Sequence, residues 1–269
     1  MLEAKLSPVA RTMAVLMSIA NNLAAIQGRI ARAAKRAGRN PDDIALMAVT
    51  KTQPVARIVE AYEAGHRLFG ENRVQEFAEK FDALAKLRGA EEPGSPTRAA
   101  VGNVALQFHM IGHLQSNKAA KAVEIFHAVD SVDSAKLAER LNAAAEKLGR
   151  TLDVLVEINI GGEEAKSGIA PESAELEEIV TGAPEWKNLR VCGLMTVPPF
   201  SEDPEGARPY FQRLRELRDR LAARQLPAVQ LDQLSMGMSH DFEVAIEEGS
   251  TCVRIGTAIF GERTGRVAL

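Results

Sequence analysis

The apolar positions near the start of the chain recur at intervals of three and four residues. This spacing places side chains on one face of a helix, and the residues that follow it are Leu16, Ile19, Leu23, Ile26 and Ile30. It predicts an N-terminal helix within residues 1–40 that ends near Gly38 and Pro41 and packs its apolar face on the rest of the protein.

Beyond this helix, short apolar runs typical of strands alternate with longer amphipathic stretches typical of helices. The predicted strands are 44–50, 67–70, 107–112, 128–132, 153–160, 190–197, 230–236 and 252–257. The predicted helices between and after them are 55–64, 74–87, 118–125, 135–148, 171–181, 204–224 and 241–248. This alternation predicts βαβ units and a parallel sheet. Eight units favour an α/β fold, a single (β/α)8 TIM barrel, with an open doubly wound sheet as the alternative.

The alternation is interrupted once, by a stretch at 89–102 (GAEEPGSPTRAAVG) that is rich in Gly, Pro and small residues. Such a composition is typical of a surface loop, so we expect a surface insertion there. With no other shift in composition, residues 1–269 are expected to form one domain.

Composition excludes several classes of protein. The chain has 269 residues, of which 46% are hydrophobic and 26% charged, which is typical of a folded globular protein. Its two cysteines, Cys192 and Cys252, lack the C-x-x-C spacing of zinc and redox sites, so we expect a reducing, cytoplasmic location. A net charge of −3 gives no general attraction for nucleic acid. No apolar stretch reaches the roughly 18 residues of a membrane span, so we expect neither nucleic acid nor membrane as a partner.

Two local patterns have plain structural interpretations. A basic stripe in the N-terminal helix, formed by Arg29, Arg32 and Arg36, with Lys35 and Arg39 beside it, is typical of a solvated helix face. His109 and His113 are four residues apart, as in a helical metal pair, but they lie in and just after a predicted strand and lack the H-E-x-x-H glutamate. We therefore expect no metal site.

Candidate chemistry lies at the C-terminal ends of the predicted strands, where barrels place their functional residues. Strand one ends in Lys51, which is either a lysine that extends to the rim or a nucleophile towards a carbonyl. The loops after strands seven and eight carry Ser239, Gly256 and Thr257, residue types that suit a phosphate. Because side chains alternate between the two faces of a strand, Arg254 lies on the same strand face as Gly256. If that face points into the barrel, Arg254 either belongs to the site or forms a structural ion pair.

Taken together, these residues predict a pocket for a phosphorylated aldehyde, with pyridoxal 5'-phosphate as the candidate. Lys51 would form a Schiff base with the aldehyde, and Arg254 would be the partner of the pyridine nitrogen. Because an arginine is always charged, it cannot readily protonate that nitrogen. We therefore expect the cofactor to be a weak electron sink.

Several segments also resemble the pyridoxal phosphate homeostasis protein family, in family order. They are AVTKTQP (48–54), FGENRVQE (69–76), FHMIGHLQSNK (108–118), KSGI (166–169), GLMTVPP (193–199), LSMGMSHDFEVAI (234–246) and GSTCVRIGTAIFG (249–261). The resemblance implies a monomeric barrel like the N-terminal domain of alanine racemase, with pyridoxal phosphate on Lys51. It also implies that the remaining site residues are Asn72, Met238, Ser239, Arg254, Gly256 and Thr257. Lys166 is either a secondary lysine of the site or a solvated loop residue.

The resemblance implies a protein that stores, carries or buffers the cofactor, with effects on amino-acid and keto-acid balance, and apo forms of pyridoxal phosphate enzymes as acceptors. The alternative is an amino-acid racemase that uses the same cofactor. Alanine racemases add a β-rich domain and a tyrosine base from the partner subunit. We expect no such domain after Gly261, and Tyr62 and Tyr210 fall in predicted helices. Phe108 stands where the family usually has tryptophan, a change that a core position should tolerate.

Overall fold

Eight parallel strands form a closed barrel in the computed structural model, which describes residues 18–88, 106–163 and 167–261. The strands are β1 Ala45–Val49, β2 Leu68–Glu71, β3 Gln107–Met110, β4 Ala128–Val132, β5 Leu152–Glu157, β6 Leu189–Met195, β7 Val229–Ser235 and β8 Cys252–Ile255. Each strand pairs with the next, and β8 closes the ring by pairing with β1 from Ala45 to Ala48. The predicted TIM barrel is therefore confirmed, since an open sheet would leave two edge strands unpaired.

Helices follow the strands as the periodicity predicted. The α-helices of the described residues are α1 Ile19–Arg36, α2 Val55–Glu63, α3 Val74–Arg88, α4 Ala119–Ile125, α5 Ala135–Lys147, α6 Ala174–Gly182, α7 Arg208–Ala222, α8 Phe242–Glu247 and α9 Thr257–Phe260. The predicted start of α6 at Pro171 was too early, because Ser173 caps the helix by accepting a hydrogen bond from the Leu176 amide (3.3 Å). The predicted helix from Pro204 begins as a 3₁₀ turn, and the α-helix starts at Arg208.

The N-terminal helix α1 packs against α8, α9 and α2. Ser18 caps it by accepting a hydrogen bond from the Asn21 amide at 3.2 Å. Its apolar face is buried at Ile19, Leu23, Ile26 and Ile30, whereas Leu16 lies outside the described residues. The predicted insertion at 89–102 also lies outside them, so the assignment of residues 1–269 to one domain stays a prediction.

The basic stripe on α1 is paired with acids of α8 and is not simply a solvated face. Arg29 forms an ion pair with Glu243 at 2.8 Å, and Arg36 contacts Glu247 at 2.9 Å and Glu243 at 3.1 Å. Sequence periodicity showed the arginines on one face of α1 but not that an acidic helix lies opposite them. The stripe thus fixes α1 to the helix that follows β7.

Between the barrel and α3 lies a cluster of aromatic rings. Phe108 is 2% exposed, and its ring centroid lies 4.5 Å from that of Phe77 and 5.3 Å from that of Phe69. The core therefore accepts phenylalanine at this position, as expected. The cluster supports β2 and β3 just below the ends that face the site.

Within residues 18–88, 106–163 and 167–261, no helix is both long enough and apolar enough to span a membrane.

Candidate functional site

A cavity of about 580 Å³ opens at the C-terminal ends of the barrel strands, within the range of roughly 300–1,000 Å³ common for small-molecule sites. The structure brings seven predicted site residues together around it: Lys51, Asn72, Met238, Ser239, Arg254, Gly256 and Thr257. Lys166 lies outside the described residues. The barrel thus gathers residues from β1, β2, β7 and β8 that are far apart in the sequence.

Both residues that flank Lys51 are held by a group of charged side chains, Glu71, Glu76 and Lys80, which we call the Lys80 network. On one side, the Thr50 hydroxyl donates to Oε1 of Glu71 at 2.8 Å. The ammonium of Lys80, from α3, donates to the same oxygen at 3.0 Å and to the Thr50 carbonyl at 3.2 Å. Glu71 and Lys80 therefore fix the backbone at Thr50, directly before Lys51.

On the other side of Lys51, Thr52 adopts a φ of 63°, in the left-handed region that a β-branched residue rarely enters. Its amide donates to Oε1 of Glu76 at 2.6 Å, and Lys80 donates to that oxygen at 2.7 Å. Such backbone strain persists only where surrounding contacts impose it. The Lys80 network supplies those contacts and so fixes the backbone on both sides of Lys51.

Burial distinguishes the two acids of the Lys80 network. The Glu71 side chain is fully buried, and this burial raises its pKa, although the charge of Lys80 acts in the opposite direction. Burial would also raise the pKa of Glu76, but hydrogen bonds from Lys80 and Thr52 hold that pKa below its ordinary value. Sequence reasoning assigned these residues no role. The available signal was the four-residue spacing of Glu76 and Lys80 on a predicted helix.

The loop between β7 and α8 is fixed by its own hydrogen bonds. The Met238 amide donates to Oδ1 of Asp241 at 2.6 Å, and the Phe242 amide donates to the Met238 carbonyl at 2.9 Å. Ser239, inside this turn, accepts a hydrogen bond from the Ala258 amide of α9 at 3.5 Å. The loops after β7 and β8 therefore meet at one place.

Strand β8 is shorter than predicted, and this changes how Gly256 and Thr257 enter the site. The strand ends at Ile255, Gly256 becomes the N-cap of α9, and Thr257 is its first residue. The prediction that the strand continues to Thr257 was wrong, because the apolar run continues into the first turn of a helix. The first amides of a helix have no partner within it, so this turn offers donors to an anion.

Two glycines in these loops have different reasons to be glycine. Gly237 has a φ of 96°, and a Cβ added to it would lie 2.6 Å from Cβ of Ala245, so the fold itself requires glycine. A Cβ on Gly256 would meet Val49 only at 3.5 Å, an ordinary contact, and its φ of −113° suits any residue. The fold therefore does not require glycine at position 256, whereas a ligand that approaches the backbone does.

Arg254 is buried at the base of the cavity, with 4% of its surface exposed. Its guanidinium donates to the Ser235 hydroxyl and to the Thr196 carbonyl, both at 2.7 Å. No carboxylate of the described ranges lies at salt-bridge distance from it, so the predicted inward arginine is found without the structural ion pair. Burial lowers the pKa of Arg254 from its ordinary value, but a guanidinium stays protonated in proteins.

The remaining wall of the cavity carries buried oxygen atoms that lack a partner. They are Oδ1 of Asn72 and Oε2 of Glu157. Ser167 donates to the other Glu157 oxygen, Oε1, at 2.9 Å. Buried polar atoms almost always have a hydrogen-bond partner, so these two oxygens, which line the cavity, can accept a hydrogen bond from a ligand. Oε2 of Glu71, outside the cavity lining, also lacks a partner. Sequence reasoning named Asn72 but missed Glu157, whose only signal was an acid at the end of an apolar strand.

The two histidines near the cavity contact aspartates. His109 Nδ1 lies 3.1 Å from Asp130, and His113 Nδ1 lies 2.9 Å from Asp133. In the part of the chain that the structure describes, no group of His, Cys, Asp and Glu side chains could hold a metal ion.

Fold and site together define a class of barrel with a lysine after β1 and a phosphate-type loop pair after β7 and β8. The alanine racemase N-terminal domain family matches residues 21–264 of the chain. The solved alanine racemase of Clostridium difficile 630 shares the fold, with a TM-score of 0.63 at 15% identity over 93% of this chain and 58% of that one. The chain is therefore a barrel of the alanine racemase N-terminal domain class.

More similar relatives narrow this class. The pyridoxal phosphate homeostasis protein of Aquifex aeolicus is 44% identical over 92% of this chain and 99% of its own, and that of Escherichia coli K12 is 42% identical over 91% and 97%. The structure of PipY from Synechococcus elongatus PCC7942 with PLP bound has a TM-score of 0.73 at 36% identity, covering 90% of this chain and 100% of that one. The chain belongs to the pyridoxal phosphate homeostasis protein family, as its sequence motifs indicated.

Proposed function

We propose that this protein binds pyridoxal 5'-phosphate on Lys51 and stores, carries or buffers it, as a cytoplasmic monomer that supplies apo enzymes. The observation that carries the proposal is that one cavity is lined by Lys51, by Arg254 and by Ser239, Gly256 and Thr257 of the loops after β7 and β8. The names of the relatives, which describe homeostasis proteins and no enzyme, support a role without turnover.

Each end of the cavity suits one part of the cofactor. When bound, the cofactor supplies an aldehyde that forms a Schiff base with a primary amine. Lys51 provides that amine from a backbone held on both sides by the Lys80 network. Ser239, Thr257 and the backbone at Gly256 offer donors to the phosphate.

Arg254 faces the pyridine nitrogen in this proposal. Its two contacts, to Ser235 and Thr196, hold the guanidinium in place. Since a guanidinium does not give up its proton, the ring nitrogen stays unprotonated and withdraws electrons weakly.

A racemase is less well supported by the same residues. Racemisation requires acid and base groups on both faces of the cofactor, and tyrosine is the base in alanine racemases. Both tyrosines of this chain, Tyr62 in α2 and Tyr210 in α7, lie in helices outside the barrel, and neither lines the cavity.

The proposal is tested by reducing the protein with borohydride after incubation with pyridoxal phosphate and mapping the labelled peptide. We expect an absorbance band from the bound cofactor and a label on Lys51. Lys51→Ala should lose both, whereas Lys136→Ala, a matched change on the exposed face of α5, should lose neither. A label fixed elsewhere would refute the assignment, and inversion of alanine that requires Lys51 would support the racemase.

A further inference from the structure

Glu157 is a buried acid of the cavity that the proposed cofactor contacts do not use. It is the last residue of β5, lines the cavity and is 7% exposed. In a closed ring of eight strands, β5 lies opposite β1, so Glu157 faces Lys51 across the cavity. Its Oε1 accepts the Ser167 hydroxyl at 2.9 Å, while its Oε2 is buried without a partner.

The charged groups around Glu157 come from four other strand ends. They are Arg254 of β8, His113 after β3, Asp133 after β4 and Lys51 after β1. Arg254 already donates to Ser235 and Thr196, and His113 lies against Asp133 at 2.9 Å. Glu157 is thus the one carboxylate among the described residues that line the cavity, in contrast to the hydroxyl and amide donors after β7 and β8.

A buried carboxylate with an unpartnered oxygen fits a cationic donor. A primary ammonium has three N–H groups and a positive charge, and no acceptor atom. Burial raises the pKa of Glu157, although the Ser167 hydrogen bond opposes this. A carboxylate that exchanges its proton nearer to neutral pH is a better proton acceptor than an exposed one.

We propose that Glu157 forms a subsite for primary amines and accepts the proton that an incoming ammonium must lose before its nitrogen can react. The inference rests on the proposed function, because the amine attacks the carbon through which Lys51 holds the cofactor. A new carbon–nitrogen bond forms to the amine, and the bond to the Lys51 nitrogen breaks.

The step is balanced without an oxidant or a reductant. The ammonium gives one proton to the Glu157 carboxylate, and the two N–H protons that remain on the amine pass to the Lys51 nitrogen as the carbon–nitrogen bonds exchange. The proton on Glu157 then moves to the released Lys51 amine, which leaves as an ammonium and returns Glu157 to its starting state. Once the bond to Lys51 is broken, only non-covalent contacts hold the cofactor in the cavity, so it can dissociate. The subsite therefore makes the protein discharge its cofactor in response to primary amines, such as amino acids.

The experiment follows release of pyridoxal phosphate from loaded protein after addition of alanine or methylamine, with trimethylamine as an amine that cannot form the new bond. Released cofactor is measured in the filtrate, and cofactor still on Lys51 is measured by borohydride labelling. The proteins are wild type, Glu157→Gln, Glu157→Asp and the exposed control Glu139→Gln.

We expect both primary amines to accelerate release from wild type, with a rate that falls as the pH falls through the pKa of Glu157. Glu157→Gln should load normally, release at least about 100-fold more slowly with amines, and lose that pH dependence. Glu139→Gln should match wild type. If Glu157→Gln does not load, Glu157→Asp decides, since a release slowed about tenfold supports the subsite and an unchanged rate refutes it.

Other outcomes separate this inference from the proposed function. The subsite would be refuted if wild type and Glu157→Gln released the cofactor at equal rates with equal pH dependence. It would also be refuted if amines did not change the rate of release from wild type. In both cases, borohydride labelling of Lys51 before amine addition would show that the protein still binds the cofactor. Absence of that label would instead refute the proposed function.

Discussion

The lysine side of the cavity and its phosphate side are built from different chemistry. On the lysine side, charges are buried directly below the reacting residue, where Lys80 bridges Glu71 and Glu76. On the phosphate side, the groups proposed to bind the phosphate are neutral: the hydroxyls of Ser239 and Thr257 and the backbone left bare by Gly256. A side chain that forms a covalent bond must be held in one orientation. A site that binds an anion must instead offer several hydrogen-bond donors and no nearby carboxylate.

The phosphate side also contains ion pairs, formed by acids of α8 and by Glu248, the residue that follows it. Arg208 contacts Glu247 at 2.8 Å and Glu248 at 2.7 Å, and Arg215 contacts Glu248 at 2.7 Å. Arginines of α1 bind the same helix from its other side. These pairs hold α8 in position while keeping its acids away from the anion site. Charge thus serves positioning on both sides. On the lysine side, charged groups pair with one another beside Lys51, whereas the buried Arg254 of β8 donates to neutral partners.

The largest effect is expected from Lys80→Met, which leaves the buried Glu71 without its counter-charge. Removing one partner of a buried ion pair typically costs about 3–5 kcal/mol, and we expect a loss of about 3 kcal/mol in the free energy of unfolding at neutral pH. Lys121→Met, which breaks an exposed pair with Glu124 on α4, is the control and should cost less than about 1 kcal/mol. Denaturant unfolding measures both.

The loss in Lys80→Met should shrink as the pH falls from neutrality towards 4.5, the ordinary pKa of glutamate. Lys80 lowers the pKa of Glu71, so the variant raises it further, and a raised folded-state pKa gives stability that is lost as pH rises through it. The depressed pKa of Glu76 acts in the same sense, because its pairing with Lys80 is lost on acidification. If the loss of unfolding free energy in Lys80→Met did not change with pH, it would instead be caused by lost packing of the Lys80 side chain.

Much of this architecture could be predicted from the sequence. Periodicity identified the eight strands, because a barrel strand is a short apolar run, and strand ends indicated Lys51 and Arg254. The Lys80 network could not be predicted, since Thr50, Glu71 and Lys80 meet only after β1, β2 and α3 pack together. Motifs indicated which residues line the cavity, but not which residues hold them there.

The end of β8 shows a second limit of sequence reasoning. Apolar residues stand on both sides of Gly256 in residues 252–260 (CVRIGTAIF), so the sequence pattern does not mark Ile255 as the end of the strand. Glu157 shows a third, because an acid after four buried residues of β5 could equally lie in solvent. Both cases depend on tertiary packing, which decides where a backbone turns and which end of a strand is covered.

An intermediate effect is expected from Gly256→Ala, and it should fall on binding alone. The free energy of unfolding should change by less than about 0.5 kcal/mol, because the added Cβ meets Val49 at an ordinary 3.5 Å. Affinity for pyridoxal phosphate should fall about tenfold, since a hydrogen bond to a charged group contributes about 1.5–3 kcal/mol. Unchanged affinity for the cofactor, with thermal unfolding also unchanged, would remove Gly256 from the phosphate side.

The smallest effect is expected from Arg36→Ala, on the outer face of the phosphate side. The Arg36 side chain is 50% exposed and contacts Glu243 and Glu247, and such pairs typically contribute about 0–1 kcal/mol. We expect a loss below about 1 kcal/mol that decreases further at high salt, because ions screen exposed charges. Cofactor affinity should not change. A loss as large as that of Lys80→Met, or a weakened affinity, would show that the outer pairs support the anion site as directly as the Lys80 network supports Lys51.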